Sequence, residues 1–382
     1  MINVPWVFRT NLLKTLRRIK NPLSTKEWLG KEIDFNKSNL SSFLKPNNKI
    51  RGAVYEILLE SGNLLTPSTS KYDPRAFFAL SRYYNAFSND KHLKIIENYD
   101  QIDSRIKSIL SEEISIGITG FFLRNYVGIS HIFDFELEKD PRGAKLSNRY
   151  GGKKPDFLCL TTDNDLYIVE SKGALGTPHN VGGNSYKKKY SGSLKKGKNQ
   201  VENVRIENPN LFRGINKLVL GTNLLINKEN KKRYSKTTTH IVDPESDEEP
   251  DFRIEIDPKE IIINSYKKIF NSFGIGKYIL SSNYLESNKY DNDSNRRFLE
   301  IPIDPENNTI IIDKKILKNI RKIQLENMTY HEKEEFFSHL SNLINESKSY
   351  YKETYMYEKG LESTHSFNNG IYFNINQGAI NQ

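Results

Sequence analysis

The chain is predicted to be an α/β protein, and three features of its central stretch carry that prediction. Residues 104–126 have the length and apolar spacing of a long helix. Two short apolar runs, 157–160 and 166–169, are separated by Thr-Thr-Asp-Asn-Asp, a strand–turn–strand signal. A further run, KLVLGTNLLI over 217–226, reads as a buried strand.

The elements follow in order. Residues 1–100 read as a mostly helical region. Val7, Leu12, Leu13, Leu16 and Ile19 fit an amphipathic helix, and 53–59 and 76–87 are helix-like around a Pro-bounded loop at 67–74. No secretory apolar segment with a small-residue cleavage site follows the basic start, so a cytoplasmic location is expected. The core, 101–226, opens with the long helix. A strand at 131–138 (HIFDFELE), a polar loop at 139–154 and the strand–turn–strand come next. Residues 173–197 are rich in Gly, Lys, Ser and Tyr and read as a long loop, and 200–206 as a short helix that stops before Pro209. A connecting loop of mixed charge, 227–254, leads to a mixed α/β region at 255–382. That region has helices at 258–273, 314–325 and 330–347 and short strands around Ile301 and Ile310. The Asn/Gly/Gln-rich tail after Thr364 receives no assignment.

Composition narrows the function. Hydrophobic residues are 36 % and mean hydropathy is −0.65, and no apolar run is long enough to span a membrane. The single cysteine, Cys159, excludes a disulfide framework and a Cys-cluster zinc site, and is read as a small core residue. No phosphate-binding GxxxxGK[ST] loop is present, because Gly276-Lys277 is followed by Tyr278 and lacks the earlier glycine. His331-Glu332 does not extend to HExxH. The net charge is +10, yet residues 139–233 alone hold 20 Lys/Arg against 8 Asp/Glu. The basic surplus is therefore concentrated in one segment, the footprint of a phosphate-binding face.

That segment also contains the residues that carry chemistry. Pro155-Asp156 opens one strand and Glu170-Ser171-Lys172 closes the next, a PD-x13-ESK pattern. The pattern, and the order helix, three strands, helix, strand around it, resembles the PD-(D/E)XK nuclease superfamily. The resemblance covers about a third of the chain. It implies a restriction-endonuclease-like core, a Mg²⁺- or Mn²⁺-dependent endonuclease acting on phosphodiester bonds, and a nucleic-acid partner, DNA before RNA. Solitary cores of this kind with unrelated flanks are similar to bacterial restriction or anti-phage defence proteins. Many members dimerise to cut both strands, so a homodimer is an expected partner. A separate ATPase is another, since the chain has no phosphate-binding loop of its own. The competing reading is a catalytically silent module of the same fold that only binds nucleic acid, or a subunit of a larger defence complex.

Geometry on paper brings the motif together. Glu170 and Lys172 lie two apart on one strand and share a face. A three-residue loop, Asp163-Asn164-Asp165, would pair Leu158 with Glu170 and Asp156 with Lys172, converging all three polar groups. The carboxylates of Asp156 and Glu170 would hold the metal, with the Ser171 carbonyl as a further ligand. Lys172 would orient the attacking water and stabilise the transition state. The family also places a glutamate on the first helix. Glu113 is preferred over Glu112, because Glu113 shares a helix face with Ile106, Leu110 and Gly117 that is expected to meet the sheet. Gln200, on the helix after the third strand, is the candidate near the scissile phosphate. Lys187, Lys188, Lys189, Lys195, Lys196 and Lys198, interleaved with Tyr186 and Tyr190, read as a clamp on the substrate backbone. Lys153 and Lys154 lie at the same end of the sheet.

Overall fold

The computed structural model describes residues 54–66, 79, 82–83, 86–87, 93–135, 154–176, 184–226, 237–242, 244, 252–276, 297–302, 309–325, 329–356 and 364–374. The expectations for residues 1–20, the loop at 67–74 and most of the loops at 139–154 and 227–254 lie outside these residues.

Apolar residues at helical spacing build Val54–Leu65 (α1) and Ser104–Phe122 (α2), which pack directly on each other. Asp103 caps α2 by accepting from the Arg105 N–H at 2.8 Å. A π-helical turn, Leu123–Val127, and Gly128 in the left-handed region (φ 83°) end it.

The chain then runs through Ile129–Asp134 (β1), Phe157–Thr161 (β2) and Asp165–Gly176 (β3), all antiparallel. The strand expected at 131–138 thus begins two residues early. Asn184–Glu202 forms α3, the short Val204–Ile206 forms β4, and Gly214–Leu225 forms β5, which pairs parallel to β3. A parallel partner needs a crossover, and α3 supplies it. Thr238–Val242 (β6) closes a mixed five-stranded sheet of order β1-β2-β3-β5-β6.

Two expectations fail in this stretch. Of the loop expected over 173–197, the described residues are instead the end of β3 and most of α3, with 177–183 outside the described residues, and the helix expected over 200–206 is the end of α3 followed by β4. Gly192, Gly197 and the lysines over 187–198 that suggested a loop sit in a helix whose buried side carries Leu194, Gly197 and Val201. Few apolar residues are needed there, because the sheet below supplies most of the contact surface.

The rest of the chain contributes Phe252–Ile254 (β7, parallel to β4), Pro258–Ser272 (α4), Phe298–Pro302 (β8), Thr309–Asp313 (β9), Lys314–Leu325 (α5) and Tyr330–Tyr350 (α6). Thr364–Ser366 (β10) and Ile371–Asn374 (β11) lie in the tail that received no assignment. They join β8 and β9 in an antiparallel sheet of order β10-β11-β9-β8. One apolar cluster runs through all these regions, with Leu58, Phe122, Ile168, Ile310 and Phe373 among its members.

Candidate active site

The β2–β3 hairpin positions the motif. Its paired residues are Phe157 with Val169, Leu158 with Ile168, and Leu160 with Leu166. The loop is three residues long but sits one position earlier than expected, at 162–164, and Asn164 takes the left-handed conformation (φ 64°). The Thr161 hydroxyl accepts from the Asp165 N–H at 3.0 Å and pins it. Continuing the register sets Asp156 opposite Glu170, not Lys172. Parity is unchanged, so the two acids remain neighbours. Pro155 and Asp156 precede the ladder, and the Asp156 N–H donates to the Val169 carbonyl at 3.1 Å.

Ser171, between the two charged residues, turns to the opposite face. Its hydroxyl lies 3.0 Å from that of Thr119 and 3.3 Å from that of Ser115, both on α2. Ser115 also donates to the Lys172 carbonyl at 2.8 Å. A Cβ on Gly173 would collide with the Ser111 carbonyl, so α2 lies hard against the end of β3. The Ser171 N–H donates to Asp156 Oδ2 at 2.7 Å and fixes that carboxylate.

On the other face, α3 crosses Glu170 and Lys172. Glu170 is fully buried, and its Oε1 pairs with the Lys172 ammonium. Lys172 is 25 % exposed and so connects the pair to solvent. Glu170 Oε2 is buried and accepts no hydrogen bond among the described residues. Burial raises the Asp156 carboxyl above its usual range, against the pull of the Ser171 N–H and Lys172. Burial raises Glu170 as well, and the Asp156 charge adds to it against the pull of Lys172. Two neighbouring acids, with one ammonium paired to Glu170, are under-neutralised.

Gln200 reaches this end of the sheet from α3. Its Nε2 donates to the Lys154 carbonyl at 2.6 Å, while its Oε1 is buried without a partner among the described residues. It therefore grips the backbone that leads into Asp156. Lys195 and Lys196 are exposed on the outer side of α3, and Lys198 is 3.4 Å from Glu202 one turn on. Tyr186, Lys187, Lys188, Lys189 and Tyr190 lie on the first half of α3, where only the backbone is described, and Lys153 lies outside the described residues.

Glu113 does not join the site. It bonds the Tyr83 hydroxyl, lies 3.5 Å from Arg82 Nη1, and its carbonyl accepts from Ser61 at 2.8 Å. The expectation failed because α2 is covered on two sides. Glu113 and Gly117 face α1, and the face that meets β3 is the polar row Ser111, Ser115 and Thr119. Glu112, next to Ser111, is exposed and close enough for its charge to raise Asp156. It is the α2 carboxylate nearest the site.

The donor set suits a hard divalent cation, which takes oxygen ligands and keeps several waters. Asp156 and Glu170 supply carboxylate oxygens, and the idle Glu170 Oε2 is the orphaned atom that a cation would satisfy. Among the described residues no three or more His, Cys, Asp and Glu side chains converge, so a cation here would rest on the carboxylate pair, backbone and water. No known family model, curated protein or solved structure matches the chain. Among the described residues no helix is long and apolar enough to cross a membrane.

Proposed function

We propose that the chain is a metal-dependent nuclease with a PD-(D/E)XK-type core, hydrolysing phosphodiester bonds, DNA before RNA. The observation that carries this reading is the adjacent pair of half-buried Asp156 and fully buried Glu170, beside one lysine and with a Glu170 carboxylate oxygen unsatisfied. The sequence of α2, three antiparallel strands, α3 and a parallel strand supports the same assignment.

Bound Mg²⁺ or Mn²⁺ would acidify water and neutralise charge growing on the phosphate. The chain's own groups do the rest. Asp156, held by the Ser171 N–H, and Glu170 present oxygens at the strand ends. Lys172 sets its ammonium beside them to hold the attacking water and to offset negative charge in the transition state. Gln200 fixes the approach to Asp156 through Lys154. Exposed Lys195 and Lys196 hold the phosphate backbone without reading sequence.

The test is cleavage of supercoiled plasmid, linear DNA and single-stranded RNA with Mg²⁺ or Mn²⁺. Wild type is compared with Glu170→Ala and Lys172→Ala. The expected result is metal-dependent cleavage that EDTA abolishes and that falls roughly a hundredfold or more in either variant. Salt-sensitive binding without cleavage of any substrate, unchanged by either substitution, would favour the silent binding module instead.

A further inference from the structure

We infer that Gly197 is a positioning residue, whose missing side chain lets α3 lie directly on the Glu170–Lys172 pair and hold it in its reactive arrangement. The inference rests on the nuclease reading for its meaning, though not for its geometry. Gly197 is buried in the C-terminal half of α3. A Cβ there would stand 2.9 Å from Val219 Cγ1, 3.3 Å from Glu170 Cγ and 3.5 Å from Lys172 Cε. Glu170 and Val219 are register partners on β3 and β5, so one point of the helix covers both strands.

Glycine in a helix interior is otherwise a liability, since alanine is the better helix former. Here the first contact is with the stiff side chain of Val219, fully buried on a central strand. Neither the strand nor the valine can yield cheaply, so an added methyl must lift the helix off the pair or press on the acid beneath it, while Lys172 Cε stays at ordinary contact distance. The outer side of the same stretch carries Lys195 and Lys196. The helix that meets substrate is thus the one that sets the reacting pair.

The experiment compares Gly197→Ala with Asn199→Ala, an exposed position on the same helix. It measures kcat and KM for DNA cleavage with Mg²⁺, the thermal midpoint, and the ¹³C titration of the Glu170 carboxyl. Gly197→Ala is expected to lower kcat by about ten- to a hundredfold, with KM within about twofold. It should also shift the Glu170 titration, while Asn199→Ala changes neither. Wild-type kcat and an unmoved Glu170 titration in Gly197→Ala would overturn the inference. Should wild type cleave nothing, the nuclease reading fails by itself, and the Glu170 titration still decides this one. Should Gly197→Ala fail to fold, Gly197→Ala/Val219→Ala decides it, because removing Cγ1 makes room for the new methyl. Recovery of activity and of the titration supports the positioning role, and a folded double variant with no recovery overturns it.

Discussion

The structure buries two clusters of charge, at Glu60 and at Glu170, and builds them in opposite ways. Glu60 Oε1 forms an ion pair with Arg124, whose Nε lies 2.7 Å away, and bonds His365 Nε2 at 2.9 Å, and Asn63 Nδ2 is 3.5 Å from Oε2. Burial pushes the Glu60 carboxyl up, but Arg124 and His365 outweigh it and hold it below its usual range. Burial likewise pulls His365 down, yet its bonds to Glu56 and Glu60 hold it at about 9. At Glu170 burial wins, and one oxygen has no donor among the described residues. The first cluster draws partners from α1, from the turn after α2 and from β10, so it is a joint between distant parts of the chain. The second leaves a carboxylate oxygen without a donor among the described residues, which a cation would satisfy under the proposed nuclease reading. What separates the two is the balance of charge: counter-charges outweigh burial at Glu60 and fail to at Glu170.

The contrast is broken most directly by removing one partner from each cluster. Arg124→Met leaves Glu60 buried with its main counter-charge gone, and should cost about 3–5 kcal/mol in denaturant unfolding. A loss below about 1 kcal/mol would mean that the joint carries little. Glu170→Gln should do the reverse. It removes an acid that the folded state strains to ionise, so the unfolding midpoint stays level or rises while cleavage falls roughly a hundredfold or more. A large loss of stability in Glu170→Gln would make the second cluster structural too.

Acidity sharpens the same comparison. The folded-state values of Asp156 and Glu170 are raised, so the native state holds more protons than the unfolded chain above the ordinary carboxylate range. Their contribution to stability is therefore lost as pH rises through that window. A cation held as proposed would bind the deprotonated pair and restore it, so saturating Mg²⁺ should stabilise by about 1–3 kcal/mol near neutral pH and much less at about pH 5. His365, also raised, contributes fully below its unfolded value and loses that contribution as pH rises through about 9. Mg²⁺ should not restore that second loss. Thermal melts with and without Mg²⁺ across pH, repeated in His365→Gln, separate the two. An equal Mg²⁺ effect at both ends of the range would contradict a carboxylate site.

Much of this was legible in residues and some was not, for physical reasons. The hairpin could be read because parity decides which face a residue occupies. Moving the loop one residue changed the partner of Asp156 without separating the acids. The α3 helix was hidden because glycine and lysine signal loops when viewed alone, and only the sheet beneath shows why Gly197 is there. The Glu60 cluster was out of reach, since its members lie up to 305 positions apart and one stands in the tail that carried no pattern.

The smallest expected effect concerns the two glutamates of α2, and it tests how a helix with two covered faces should be read. Apolar spacing favoured Glu113, yet that residue is engaged by Tyr83 and Arg82 on the α1 side. Glu113→Gln should weaken a hydrogen bond to a charged acceptor, costing about 0.5–1.5 kcal/mol of stability with kcat unchanged. Glu112→Gln should leave stability alone. Removing the charge that raises Asp156 lowers the carboxyl's titration, so the acid limb of the pH–rate profile moves to lower pH. If that shift appears in Glu113→Gln instead, the polar row Ser111, Ser115 and Thr119 does not define the face of α2 that serves the site.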